Sequence, residues 1–115
     1  MEMSLANKLQ IPEGQGVKVI NPPAAFKLDA PTTTGSKDAV LLFASDSRTL
    51  RSLGKPLFEA AKSDRLAWIA YPKAGQLGTD LNRDILVKLV KPFGIQPVRQ
   101  ISIDGAWSAM RFRPS

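Results

Sequence analysis

Two six-residue stretches without a charged side chain, Ala39-Val40-Leu41-Leu42-Phe43-Ala44 and Leu66-Ala67-Trp68-Ile69-Ala70-Tyr71, constrain this chain more than any other feature. Each is too short for a buried helix, and each is closed by turn or cap residues, Ser45-Asp46-Ser47 after the first and Pro72 after the second. Continuous apolar runs of this length belong to strands covered on both faces, the situation of a parallel sheet between layers of helix. Between the two runs Leu50, Leu53, Leu57, Phe58 and Ala61 recur at helical spacing, interrupted by Gly54 and Pro56, so two short helices are expected, with Pro56 opening the second. Strand, helix pair and strand together make the start of an α/β domain.

The flanking sequence extends the pattern. Ser4 can cap a short helix over residues 5–9, and Pro12-Glu13-Gly14-Gln15-Gly16 forms a turn before a β-branched first strand, Val17-Lys18-Val19-Ile20, which Asn21-Pro22-Pro23 stops. Residues 22–37, with Pro22, Pro23, Pro31, three threonines and Gly35, suit an irregular crossover. Beyond the loop Lys73-Ala74-Gly75-Gln76-Leu77-Gly78, either Thr79 or Asp80 can cap the longest helix, in which Leu81, Ile85, Leu86, Leu89, Val90 and Phe93 share one stripe and Pro92 and Gly94 mark the end. Two last strands, 97–103 and 107–112, are joined by Asp104-Gly105 as a hairpin. The expected fold is a single α/β domain over residues 1–115: about five strands in a mainly parallel twisted sheet, helices on its faces, and a C-terminal antiparallel hairpin.

Composition narrows the chemistry. At 115 residues, 43% hydrophobic and 23% charged, one core can close without staples. The chain has neither cysteine nor histidine, which excludes disulfides, thiol nucleophiles, histidine zinc sites and every catalytic arrangement built on imidazole. Catalysis would have to rest on carboxylates, lysine, tyrosine, or serine activated by lysine. Met1-Glu2-Met3-Ser4-Leu5-Ala6-Asn7-Lys8 does not read as a signal peptide and no apolar stretch approaches the ~20 residues of a membrane span, so a cytoplasmic protein is expected. Sixteen Lys and Arg against ten Asp and Glu give +6, but the cations are scattered with acids between them, a solvated surface rather than a nucleic-acid stripe.

In an open parallel sheet, ligands sit beyond the carboxyl ends of the strands. That edge gathers Asn21, Ser45, Asp46, Tyr71, Lys73, Thr79 and Asp80, of which Asn21, Ser45, Tyr71, Lys73, Thr79 and Asp80 are the candidate ligand-binding residues. Lys73, beside a glycine-containing loop and a helix N-terminus, suits a phosphate or carboxylate, against which the charge of Asp80 counts. Tyr71 and Lys73 lack the helical spacing of reductase Tyr-Lys pairs, and Asp80 with Asp84 reads as a solvated i,i+4 pair rather than a divalent-ion site. Trp68 and Trp107 read as sheet-covering residues, and Arg111 and Arg113 as edge protection or partners for an acid. No catalytic residue, metal or cofactor is assigned.

The leading helix followed by Ile11-Pro12-Glu13-Gly14-Gln15-Gly16-Val17-Lys18-Val19-Ile20, and the closing helix and hairpin, resemble class I methyltransferase-like, Rossmann-like domains. That resemblance implies a sheet in which the last strand inserts antiparallel, ordered first, second, third, fifth, fourth. Val19-Ile20-Asn21-Pro22-Pro23, Trp68-Ile69-Ala70-Tyr71-Pro72-Lys73, Thr79-Asp80-Leu81-Asn82-Arg83-Asp84 and Trp107-Ser108-Ala109-Met110-Arg111-Phe112 resemble a small bacterial family of domains of unknown function, which implies no particular activity. Working methyltransferases place a glycine-rich turn after the first strand, where this chain has Asn21-Pro22-Pro23-Ala24-Ala25, so S-adenosylmethionine is not an expected cofactor. The sequence thus points to a non-catalytic binding or protein-interaction domain, with a homodimer through an open sheet edge as one form. The alternative is an enzyme or sensor that takes a small anionic metabolite or nucleotide near Lys73 to Asp80.

Overall fold

A computed structural model describes residues 4–24, 26–28, 32, 38–73 and 79–115. Its elements are α1 (Leu5–Lys8), β1 (Val17–Ile20), β2 (Ala39–Phe43), α2 (Ser47–Leu53), α3 (Lys55–Lys62), β3 (Ala67–Pro72), α4 (Arg83–Val90), a 3-10 turn (Lys91–Phe93), β4 (Ile95–Ser102) and β5 (Trp107–Pro114). The loop expected at 74–78 and most of the crossover expected over 22–37 lie outside the described residues. Among the described residues no helix is long and apolar enough to cross a membrane.

The five strands form one sheet in the order β1-β2-β3-β5-β4. β1 with β2 and β2 with β3 pair parallel, while β5 pairs antiparallel with both β3 and β4. The sheet is therefore mixed, with β5 alone running against the other four strands, because the strand after the hairpin turns back and takes the place beside β3. Burial explains the swap: β5 brings Ser108, Ala109, Met110 and Phe112 into the interior, whereas β4 carries exposed Gln96, Arg99, Gln100 and Ser102 and tolerates the outermost position. In the connecting loop one carboxylate oxygen of Asp104 accepts hydrogen bonds from the backbone N–H groups of Ala106 (2.8 Å) and Trp107 (2.9 Å), an Asx-type turn that fixes the reversal.

Both faces of the sheet are covered, which is why the central strands read as unbroken apolar runs. Val40 and Leu42 of β2, Ala67, Ile69 and Tyr71 of β3, and Met110 and Phe112 of β5 face Leu50, Leu57, Phe58, Ala60, Ala61, Leu86 and Val90 from α2, α3 and α4. The alternate residues Leu41, Phe43, Trp68, Ala70 and Ala109 face Leu9 and Ile11, with Phe26, Leu28 and Trp107 packed against them. Among the described residues the second face has no long helix. A four-residue helix, capped by the Ser4 hydroxyl accepting from Asn7 N–H, is held there by tertiary contact, since a helix of this length is not stable alone.

The helix stripe inferred over residues 81–93 holds for Leu81, Leu86 and Val90, which are buried, and fails for Ile85 and Phe93, which are about 40% exposed. The α-helix stops at Val90, and the tighter turn through Pro92 to Gly94, whose φ of 78° is left-handed, swings Phe93 out of the stripe. The cap of α4 is also displaced from the expected residues: the Asn82 carboxamide oxygen accepts from Ile85 N–H at 2.9 Å, while Thr79 and Asp80 lie before the helix.

Candidate functional site

The carboxyl ends of β1, β2 and β3 do bring the candidate polar residues to one edge, and most of these residues are tied to each other or to the backbone. Asn21, at φ 58°, takes the left-handed conformation that asparagine tolerates better than most residues, and its side-chain amide donates to the Phe43 carbonyl at 3.0 Å. It thereby closes β1 onto β2. Removal of both contributions by Asn21→Ala is expected to cost about 1–2 kcal/mol, and Asn21→Gly, which keeps the backbone freedom, about 1 kcal/mol, as read by denaturant titration.

Next along the edge, the hydroxyls of Ser45 and Thr49 lie 3.5 Å apart, and Asp46 accepts from Thr49 N–H at 2.8 Å as the cap of α2. Asp80 reaches the same helix from 33 residues away: one carboxylate oxygen accepts from Ser47 N–H at 2.8 Å and the other from the Ser47 hydroxyl. The expected i,i+4 pairing of Asp80 with Asp84 on one helix is therefore not made, since Asp80 precedes α4 and turns to α2. Thr79 is equally local, its hydroxyl accepting from Leu81 N–H at 2.9 Å.

These bonds set the charge state of the edge. The hydrogen bonds from Thr49 hold the Asp46 carboxyl below the ordinary carboxylate range, and those from Ser47 do the same for Asp80. A depressed folded-state value means that the unfolded chain binds protons first, so stability rises with pH across this window. The contribution is complete above about pH 5 and is lost as the pH falls through the ordinary carboxylate range and below it. Thermal midpoints between pH 7 and pH 2 are expected to drop along that limb, and Asp80→Asn is expected to flatten the drop.

Lys73 donates from Nζ to the Ser102 hydroxyl at 2.8 Å, and that hydroxyl donates to the Asp104 carbonyl at 3.2 Å. The pair has the distance of a serine–lysine dyad with the opposite direction of proton donation. An activated serine needs its proton directed at a base, and here the proton goes to a backbone carbonyl. Tyr71 is the exception to the general engagement: it is 3% exposed and its hydroxyl has no hydrogen-bond partner among the described residues. Burial pushes the phenol above its ordinary value, opposed by the charge of Arg83.

The two tryptophans sit on the α1 face of the sheet. Trp68 donates from Nε1 to the Leu9 carbonyl at 2.9 Å, and Trp107 meets Phe43 edge to face, ring centres 5.1 Å apart. Arg113 forms a two-pronged pair with Asp64 at 2.8 and 3.0 Å, and Arg111 donates to the Gln10 side chain at 2.8 Å. β5 is an interior strand, so these arginines do not guard an edge.

Sequence reasoning missed a concave surface along α3. A groove of about 300 Å³ is lined by Arg51, Lys55, Phe58, Glu59, Lys62 and Phe93. Its floor is the stacked pair Phe58–Phe93, ring centres 4.1 Å apart and planes inclined by 8°. Lys55, Phe58, Glu59 and Lys62 follow i, i+3, i+4, i+7 spacing and were legible as one helix face; the arrival of Phe93 from another element was not. Among the described residues no group of three or more acidic side chains is placed to hold a metal ion. Comparison with protein-family models, curated proteins and solved structures finds no match to this chain.

Proposed function

We propose that this chain is a non-catalytic binding domain on a reduced class I methyltransferase-like sheet, with the last strand inserted antiparallel and without the half that would cradle a nucleoside cofactor. The observation that carries the reading is the engagement of the strand-end polar groups. Asn21, Asp46, Thr79 and Asp80 hold backbone, Lys73 is bonded to Ser102, and no acid, base or nucleophile among them is left directed at a substrate. A homodimer through β4 is disfavoured by Pro97, the irregular pairing between Pro97 and Arg99, and the charge of Arg99, features that discourage edge-to-edge pairing. The test is a thermal-shift titration with nucleotides, S-adenosylmethionine and sugar phosphates, expected to give no saturable stabilisation. A saturable rise that Lys73→Ala removes would overturn the reading.

One observation favours the second reading, a small anionic ligand at the strand ends. It is the buried hydroxyl of Tyr71, which has no hydrogen-bond partner among the described residues and lies within the field of Arg83. Tyr71→Phe deletes a buried group that has no partner among the described residues, so the unliganded domain is expected to gain about 1 kcal/mol in denaturant titrations. A ligand-induced shift seen in the parent and absent from Tyr71→Phe would establish the second reading in place of the first.

A further inference from the structure

We propose that the groove between α3 and the 3-10 turn docks an acidic peptide segment of a partner protein, an apolar side chain of which seats on the Phe58–Phe93 stack while its carboxylates meet Arg51, Lys55 and Lys62. The proposal rests on the reading of this chain as a binding domain and names its partner chemistry.

Three features carry it. The first is an aromatic surface that core packing does not consume. Phe58 is the buried ring of the stack, whereas Phe93 remains 40% exposed although Pro92 and the left-handed Gly94 hold its turn in place. The covered face of Phe93 staples the turn to α3, and the open part adds apolar surface to a concavity large enough for one or two side chains. Apolar surface ringed by charge marks interaction sites, and aromatic residues with arginine are enriched at their centres.

The second feature is the sign of the rim. Arg51, Lys55 and Lys62 oppose a single acid, Glu59, and neither Lys55 nor Lys62 makes an ion pair among the described residues. Lys55 and Lys62 beside a partly exposed aromatic floor are complementary to carboxylates that flank an apolar anchor. The third feature is the position of Glu59 on α3 between Lys55 and Lys62. A nucleic-acid backbone, charged at every unit, would meet that carboxylate directly, whereas a peptide can place a neutral residue or a backbone N–H against it.

The experiment uses a fluorescein-labelled twelve-residue peptide of Asp and Glu carrying Leu and Phe four positions apart, titrated by fluorescence anisotropy. Saturable binding is expected to weaken at least about tenfold when Ser replaces the two apolar residues, and by a similar factor in Phe93→Ser. The doubly substituted Lys55→Glu, Lys62→Glu protein, whose changes are on exposed positions, is expected to lose binding as far, and added salt is expected to weaken the parent complex. Circular dichroism confirms that each variant is folded. The absence of saturable binding, equal binding of the serine peptide, or indifference to Phe93 each overturns the proposal. Tighter and Phe93-dependent binding of a twelve-nucleotide single strand overturns it in favour of nucleic acid. A failure here leaves the metabolite titration untouched, and a Lys73-dependent metabolite shift overturns the binding-domain reading whatever the peptide does.

Discussion

Trp68→Ala is expected to remove about 3–5 kcal/mol of stability, a large part of the ~5–15 kcal/mol typical of a domain. Trp68 is among the largest fully buried side chains, with Leu41, Phe43, Ala70 and Ala109 around it. Its truncation opens a cavity in the layer that α1, Phe26 and Leu28 cover. The indole also donates to the Leu9 carbonyl across 59 residues of sequence, a buried bond linking the N-terminal segment to the middle of the sheet. Trp68→Phe keeps most of the volume and leaves that carbonyl without its indole donor, for a smaller cost of about 1–2 kcal/mol. Because α1 has only four residues, its order depends on this attachment. Limited trypsin digestion should therefore cut at Lys8 sooner in both variants than in the parent, and denaturant titration should rank Trp68→Ala well below Trp68→Phe. Equal stability of the alanine variant and the parent would place the centre of the second core elsewhere.

The sheet was legible because its signals are local. Runs at 39–44 and 66–71 announce covered strands, Val17 to Ile20 is β-branched, and Asp104-Gly105 marks a reversal. The mixed character of the sheet also has a local cause, the contrast between an apolar β5 and a polar β4, although alternation alone does not say which of two hairpin strands lies inside. What was not legible depends on partners far away in sequence. Asp80 reads as a cap of the helix that follows it, but its carboxylate instead accepts from Ser47 at the start of α2, the helix that Asp46 caps. Asn82 was passed over because Thr79 and Asp80 are equally good caps by residue type, and only the observed start of α4 separates them. At the strand ends the named polar residues share one edge, yet residue type says nothing of whether a hydroxyl or carboxylate faces outward or holds backbone. The groove was hidden for a related reason. A helical stripe assumes that the helix continues, and it stops three residues before Phe93, so a side chain read as core becomes half-exposed against Phe58.

Gly54→Ala is expected to cost about 2–3 kcal/mol and to weaken peptide docking together with stability. Gly54 ends α2 and opens α3 with φ −77° and ψ −16°, an ordinary right-handed conformation, so glycine is not required for its backbone freedom. Propensity alone would make alanine better by about 1 kcal/mol. Space argues the other way and with more weight. A Cβ at Gly54 would lie 2.4 Å from the Leu50 carbonyl oxygen and 2.7 and 2.8 Å from two atoms of the Phe58 ring. The carbonyl belongs to the backbone of α2 and the ring is held against Phe93, so neither yields without moving a helix end or the floor of the groove. The denaturation midpoint should fall with little change in slope, and the acidic peptide should bind several-fold more weakly. Shortening the ring by Phe58→Leu in the Gly54→Ala background should restore part of the stability, a non-additive result expected for residues in direct contact, without restoring the docking that needs the aromatic floor. An alanine variant more stable than the parent would mean that helix propensity, not the close approach of Gly54 to Phe58, governs the junction.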